Sequence, residues 1–244
     1  GNYTQGSGGG IAAMYSHLII ENVLVNNNTA QGSGGGIYFN SSNSRLSGVI
    51  VNKNLARENG GGIAGTYTSE LLFSNQNRCS VFHNYAGEAG NDLAFDNIIM
   101  RTISLDTFTV ANPTNHHAFP IDRLQLDILN AKETQVDADL YVSPEGNNTN
   151  NGLSASEPLL TISLALTKIL ADSLNPHEIH LANGIYSPSK TGEIFPLNMV
   201  NYVSIVGESR QSVILDAEDS TGVIVFYEDS TITIKDMTIR GGHS

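Results

Sequence analysis

One cysteine, Cys79, no tryptophan, and a charged fraction of only 15% are what these 244 residues leave sparse. A single cysteine excludes an internal disulfide framework and any multi-cysteine zinc site. The charges present are lopsided, 24 Asp and Glu against 12 Lys and Arg, for a net −12. Such a surface repels phosphates, so nucleic acid and anionic membranes are poor partners. Apolar runs fall far short of the ~20 residues a membrane helix needs, which excludes membrane insertion by that route. The chain opens on Gly1 with neither an initiator Met nor a signal peptide, and the expectation is a mature product or an excised piece.

What is abundant is Gly, with 24 residues, together with Asn, while 40% of the chain is still hydrophobic. That balance is not disordered by composition. It predicts many short strands separated by tight turns, in an extracellular or cell-surface β protein. The repeats sharpen this. Gly8-Gly9-Gly10-Ile11 returns as Gly34-Gly35-Gly36-Ile37 and as Gly60-Gly61-Gly62-Ile63, each step being 26 residues. Asn28-Thr29-Ala30 and Asn54-Leu55-Ala56 keep the same step, and Asn84-Tyr85-Ala86 follows after 30 residues, with Gly90 where a triplet would end. Gly triplets and β-branched runs disfavour helix, and a phosphate-cradling loop would need a following helix and usually a Lys. A coil of three short strands and three turns, stacked on its copies as a parallel β-solenoid, remains. Ile11, Ile37 and Ile63 should then form one inward ladder and Val25 and Val51 a second, with Asn28, Asn54 and Asn84 stacked in equivalent turns.

Residues 141–244 read differently. Tyr141-Val142-Ser143-Pro144-Glu145-Gly146-Asn147 leads to Pro158-Leu159-Leu160-Thr161-Ile162-Ser163-Leu164-Ala165-Leu166. This resembles a domain family of unknown function that opens right-handed parallel β-helices of the pectate-lyase-like superfamily, while the Gly-Gly-Gly-Ile coils resemble those of bacterial surface β-helix proteins. The resemblance implies the fold, and it implies that the predicted helix 162–171 closes the N-terminal end of the solenoid. The helix itself rests on Ile162, Ala165, Leu166, Ile169 and Leu170 at helical spacing, with Thr161 as its N-cap. Strands are predicted at 179–181, 185–186, 203–207, 213–216, 223–226 and 232–239.

Through the junction of Ser244 with Gly1 the repeat spacing is kept: Met237 and Val23 fall 30 residues apart. The expected order is therefore 137–244, with cap helix and first coils, followed by 1–99, with the remaining coils of the same β-helix or of its tandem copy. Residues 100–136 do not show the repeat and are expected to be a β-rich C-terminal cap and connection.

Chemistry is thinly written. His177-Glu178-Ile179-His180 lacks the i, i+4 spacing of a metalloprotease helix, and on a strand the two histidines face opposite sides. His116-His117 reads as a solvated turn. Cys79 lies in a core-like strand as an inert thiol. Asp216-Ala217-Glu218-Asp219 and the loop from Glu145 to Asn151 are rich in oxygen, yet neither completes a calcium loop. Arg45, Arg57, Arg78 and Arg240 could serve a lyase, and paired carboxylates a hydrolase, but no such constellation recurs on one coil face. Asn2, Asn27, Asn40 and Asn147 stand in glycosylation sequons. No catalytic, cofactor or metal residue is assigned; Ca²⁺ is the one cofactor considered. The leading expectation is a structural, non-enzymatic repeat unit of an extracellular fibre, sheath or large surface or adhesin protein, with copies of itself as head-to-tail partners. The competing expectation is a carbohydrate-binding or polysaccharide-degrading (lyase or hydrolase) β-helix.

Overall fold

A computed structural model describes residues 1–67, 71–96, 100–226 and 232–243. Ser244, on one side of the junction read from the sequence, lies outside them. The chain is nearly all β, a parallel β-solenoid of about nine turns, with a single α-helix among the described residues. It divides into two compact units, Gly1–Thr134 and Gln135–Ser244.

In unit 1 each complete coil has four strands, not three. Thr29–Ala30, Ile37–Asn40, Ser44–Ser47 and Ile50–Asn52 make one coil, and each pairs in parallel with its copy one coil on. The extra corner follows the inward ladder: Gly48 takes φ 62° there, a left-handed turn that ends one strand and starts the next. Ile11, Ile37, Ile63 and Leu93 are in register, as are Val25, Val51 and Val81. Both ladders point inward, and Ile37, Ile63, Val51 and Val81 are fully buried. Each such side chain contributes about 1.5–3 kcal/mol.

The triplet glycines have separate reasons. Gly8, Gly34, Gly60 and Gly90 all have φ between 63° and 78°, as their shared turn requires. The second and third give way to neighbouring coils: a Cβ on Gly61 would lie 2.1 Å from the Tyr85 carbonyl, and one on Gly36 would lie 2.9 Å from Asn54 Nδ2.

Residues 100–136 correct the expectation that they leave the repeat. Arg101–Phe108 pairs in parallel with Cys79–Phe82 and with Leu124–Ala131, and Ala118–Phe119 pairs with Leu93–Ala94. The segment is β-rich because it continues the coil, with Ile103, Leu105 and Phe108 in the core. No glycine triplet marks it because Asn115, His116 and His117 stand in the triplet turn of this last coil, as the register of Leu93 with Ala118 shows.

Unit 2 has three ladders, built on Leu140–Val142, Gly184–Tyr186 and Leu197–Asn198. Its strands at 177–181, 203–207 and 213–221 are longer than the strands of at most four residues in the coils of unit 1 up to Asp96, while the last two strands of the sheet in unit 1, Arg101–Phe108 and Leu124–Ala131, have eight. The strand expected over 232–239 is broken, because Asp236 takes φ 58° and separates Ile234–Lys235 from Thr238–Gly242. The helix runs from Ile162 to Lys168, shorter than 162–171. At Ile169 the chain turns extended and bridges Val136: Val136 N donates to the Lys168 carbonyl and Leu170 N to the Val136 carbonyl. Ile162, Ala165 and Leu166 bury against the core beside Leu140, the edge strand of its sheet, so the helix covers that end of the unit.

Candidate functional site

Two polar constructions stand out, one inside unit 1 and one on the outer face of unit 2. The first begins with the three predicted asparagines. Asn28 Nδ2 donates to Asn54 Oδ1 at 3.0 Å, and Asn54 Nδ2 to Asn84 Oδ1 at 2.9 Å. The backbone N–H of each asparagine donates to the same Oδ1. The sequence reading missed both ends. Asn2 N donates to Asn28 Oδ1, so Asn2, 26 residues upstream, is a fourth position of the series. At the other end Asn84 Nδ2 donates at 3.0 Å to Asp92 Oδ1. Asp92 stands where Gly36 and Gly62 stand in earlier coils, with its carboxylate in place of the next rung.

Burial pushes the Asp92 carboxyl up to about 6, against the Thr109 hydroxyl, the Asn84 amides and His83. One coil further, His117 occupies the position of Asp92 and His116 that of Asn91. Both rings are buried and meet edge to face at 5.0 Å, so the solvated turn expected for His116-His117 is corrected. They are buried because the turn that elsewhere takes glycines is filled here by side chains. Cys79 is fully buried and its thiol is pushed up by desolvation, in line with the inert reading.

The second construction lies along the ladder Leu140–Val142, His177–Leu181, Val203–Gly207. The alternation is strict: His177 points inward and is buried, while His180 points outward. Tyr141 and His180, paired in register, stack their rings at 5.0 Å and 28°. Together with Val206, Glu208, Ser143 and Pro158 they line a groove of about 340 Å³, near the lower end of ligand-sized sites. Glu208 is held by Asn183 N, which donates to Oε2 at 3.1 Å. At the start of this strand the inward-facing His177 meets Asp137, Nε2 to Oδ1 at 2.9 Å, while on the outer face His180 Nε2 lies 3.5 Å from Asp139 Oδ2. The hydrogen bond from His177 holds the Asp137 carboxyl below its ordinary range. Sequence alone gave no sign that Asp137 and Asp139, forty residues upstream, would meet these histidines.

The remaining candidates are dispersed. Arg78 pairs with Asp127 at 2.7 Å and Arg240 with Asp216 at 2.8 Å, whereas Arg45 is exposed on strand Ser44–Ser47 and Arg57 is exposed just after strand Leu55–Ala56. In the Asp216–Asp219 cluster, Asp216 Oδ1 accepts from Glu218 N and the Glu218 carboxylate accepts from the Ser189 hydroxyl. In the Glu145–Asn151 loop, Asn147 Oδ1 accepts from Thr149 N and Oγ1, and Asn151 Nδ2 donates to Glu157. Among the described residues, no group of three or more His, Cys, Asp or Glu side chains is placed to hold a metal ion, and no helix is long and apolar enough to cross a membrane.

Residues 144–242 match the sequence model of a family described as a protein of unknown function, DUF1565. That family is of β-helix type, in keeping with the solenoid that these residues form. Compared with curated proteins and with solved structures, the chain has no match.

Proposed function

We propose that this chain is a structural unit of an extracellular or cell-surface fibre, sheath or adhesin-type protein, in which the coils of residues 137–244 run on, head to tail, into residues 1–136 of the next copy. The observation that supports this reading is a duplicated corner. In unit 2, Ile234–Lys235 is followed by left-handed Asp236 (φ 58°) and by strand Thr238–Gly242. In unit 1, Ile19–Glu21 is followed by left-handed Asn22 (φ 55°) and by strand Leu24–Asn26. The two corners are one coil length apart when counted through the junction, and each lies at the end of its sheets.

Their outer faces have the character of an interrupted core. Ile239 shares the inward register of buried Leu215 yet is 47% exposed. The first coil of unit 1 carries a concavity of about 310 Å³ lined by Gly10, Ile11, Val23, Leu24, Val25 and Asn28. Open parallel edges of this kind are templates for a further strand. Ile50 N donates back to the Val23 carbonyl, so by equivalence Leu24 N points out of the unit. Heterologous contacts of this type do not close and propagate as filaments.

The test is sedimentation and electron microscopy of the purified chain over a range of concentrations, beside Leu24→Pro. Linear oligomers are expected, and they should be lost in Leu24→Pro while its circular dichroism is unchanged. Discrete monomers with lyase or hydrolase activity would overturn the reading.

A second reading, a carbohydrate-binding face on unit 2, is favoured by the Tyr141–His180 ring stack beside Glu208. Aromatic faces with a neighbouring carboxylate suit the apolar faces and hydroxyls of sugars. Retardation in polysaccharide gels, abolished in Tyr141→Ala, would support it; unchanged mobility across acidic and neutral polysaccharides would remove it.

A further inference from the structure

The asparagine ladder has a direction. Every rung donates its amide N–H downward and accepts from above, and the last acceptor is Asp92. An asparagine there would continue the pattern, with an amide still to donate. A carboxylate instead ends it on a group that has no proton to give. Asp92 is 1% exposed, and its second oxygen, Oδ2, is buried without a hydrogen-bond partner. A buried charge of this sort is costly unless paired.

The groups packed round it are known. Just upstream on the same coil lie Asn84, which donates to Oδ1 from both backbone and side chain, and His83, whose Nε2 is 2.9 Å from Glu133. From the coil after come Thr109, whose hydroxyl accepts from His83 N, and His117, whose Nδ1 accepts from Thr114 N at 3.3 Å. Asp92 N itself donates to the His117 carbonyl at 2.9 Å. Beside it Asn91 Nδ2 contacts His116 Nε2 at 2.9 Å. No Lys or Arg is among these neighbours to neutralise the carboxylate.

We propose that Asp92 is a proton-held terminus of the ladder, which closes the last coils of unit 1 tightly when its carboxyl is protonated and loosens them when it ionises. The protonated acid supplies the donor that an asparagine would have supplied and removes the unpaired charge. Its folded-state affinity for the proton, about 6 against an ordinary 3.8, fixes the direction of the effect. Between those values the folded chain binds more protons than the unfolded one. The contribution of Asp92 is therefore fully present below about pH 4 and is lost as pH rises through 6. Each pH unit of difference is tenfold in the folding equilibrium, so the whole effect is about 100-fold.

The experiment compares the full chain with Asp92→Asn by site-resolved hydrogen exchange at the Asn84 and Leu93 amides between pH 4.5 and 7.5, corrected for intrinsic exchange. The wild-type protection factors should fall by about 25-fold over that range, the rest of the effect lying below pH 4.5, and those of Asp92→Asn should stay high and flat. Carboxyl-carbon NMR of the wild-type chain follows Asp92 directly and does not depend on the variant folding. A midpoint near 6 is expected. A midpoint near 4, or equal pH profiles for both proteins, would overturn the proposal.

Discussion

Units 1 and 2 wind the same kind of coil and stabilise it by different means. Up to Asp96 unit 1 has strands of at most four residues, four strands to a coil and one polar rung per coil, so that a hydrogen-bonded spine runs beside its aliphatic ladders. Unit 2 has three ladders and a helix over one end, and the buried polar group that holds that helix is a single carboxylate. Glu193 is 2% exposed and accepts from Ile162 N at 2.7 Å and Ser163 N at 3.0 Å. It caps the helix in place of Thr161, whose side chain makes no capping bond. Burial raises the Glu193 carboxyl even so. A repeated device needs a repeated sequence, whereas a device used once leaves no period to find. That contrast explains which half was easy to read.

Substitutions that separate the two strategies rank by expected cost. The largest difference should come from glycine. Gly61→Ala sets a methyl against the Tyr85 backbone and should unfold unit 1, at more than about 4 kcal/mol. Gly192→Ala meets nothing within 4 Å and costs only its left-handed φ of 71°, about 1–2 kcal/mol. Urea melts of both proteins measure this, and similar losses would erase the distinction between steric and conformational glycines. Asn54→Leu comes next. Asn54 Nδ2 also donates to the Val25 carbonyl, and its Oδ1 accepts two N–H groups from Asn28. Leaving such buried groups unpaired costs about 1–3 kcal/mol each; an unchanged melting temperature would show that the spine adds nothing. Glu193→Ala, which uncaps one short helix, should cost about 2 kcal/mol. Its effect should show in the hydrogen exchange of Ile162 and Ser163 and leave the unit 1 amides untouched.

The sequence made the solenoid legible because Gly and Asn at a 26-residue step have few other physical uses. The inward ladders and the stacking of Asn28, Asn54 and Asn84 followed from it. The last coil escaped because Asn91, Asp92, His116 and His117 replace the glycines: its backbone turn persists while its motif does not. Four strands to a coil escaped because the added corner depends on the φ of Asn22 and Gly48, which no apolar period records. The helix end at Lys168 was set by pairing of Ile169 with Val136, and the cap by Glu193, some thirty residues away. The groove of Tyr141, His180 and Glu208 joins three coils of unequal length, so its members share no spacing.

Head-to-tail continuation is tested most directly by cross-linking. In a Cys79→Ala background, Leu24→Cys and Thr238→Cys are made in separate chains, purified, mixed and oxidised. The duplicated corner sets these two outward positions in adjacent coils, about 4.8 Å apart between strands, within disulfide reach. Rapid formation of a mixed two-chain species, absent when either variant is oxidised alone, is the result expected. A mixture that cross-links no faster than its separate components would contradict head-to-tail assembly.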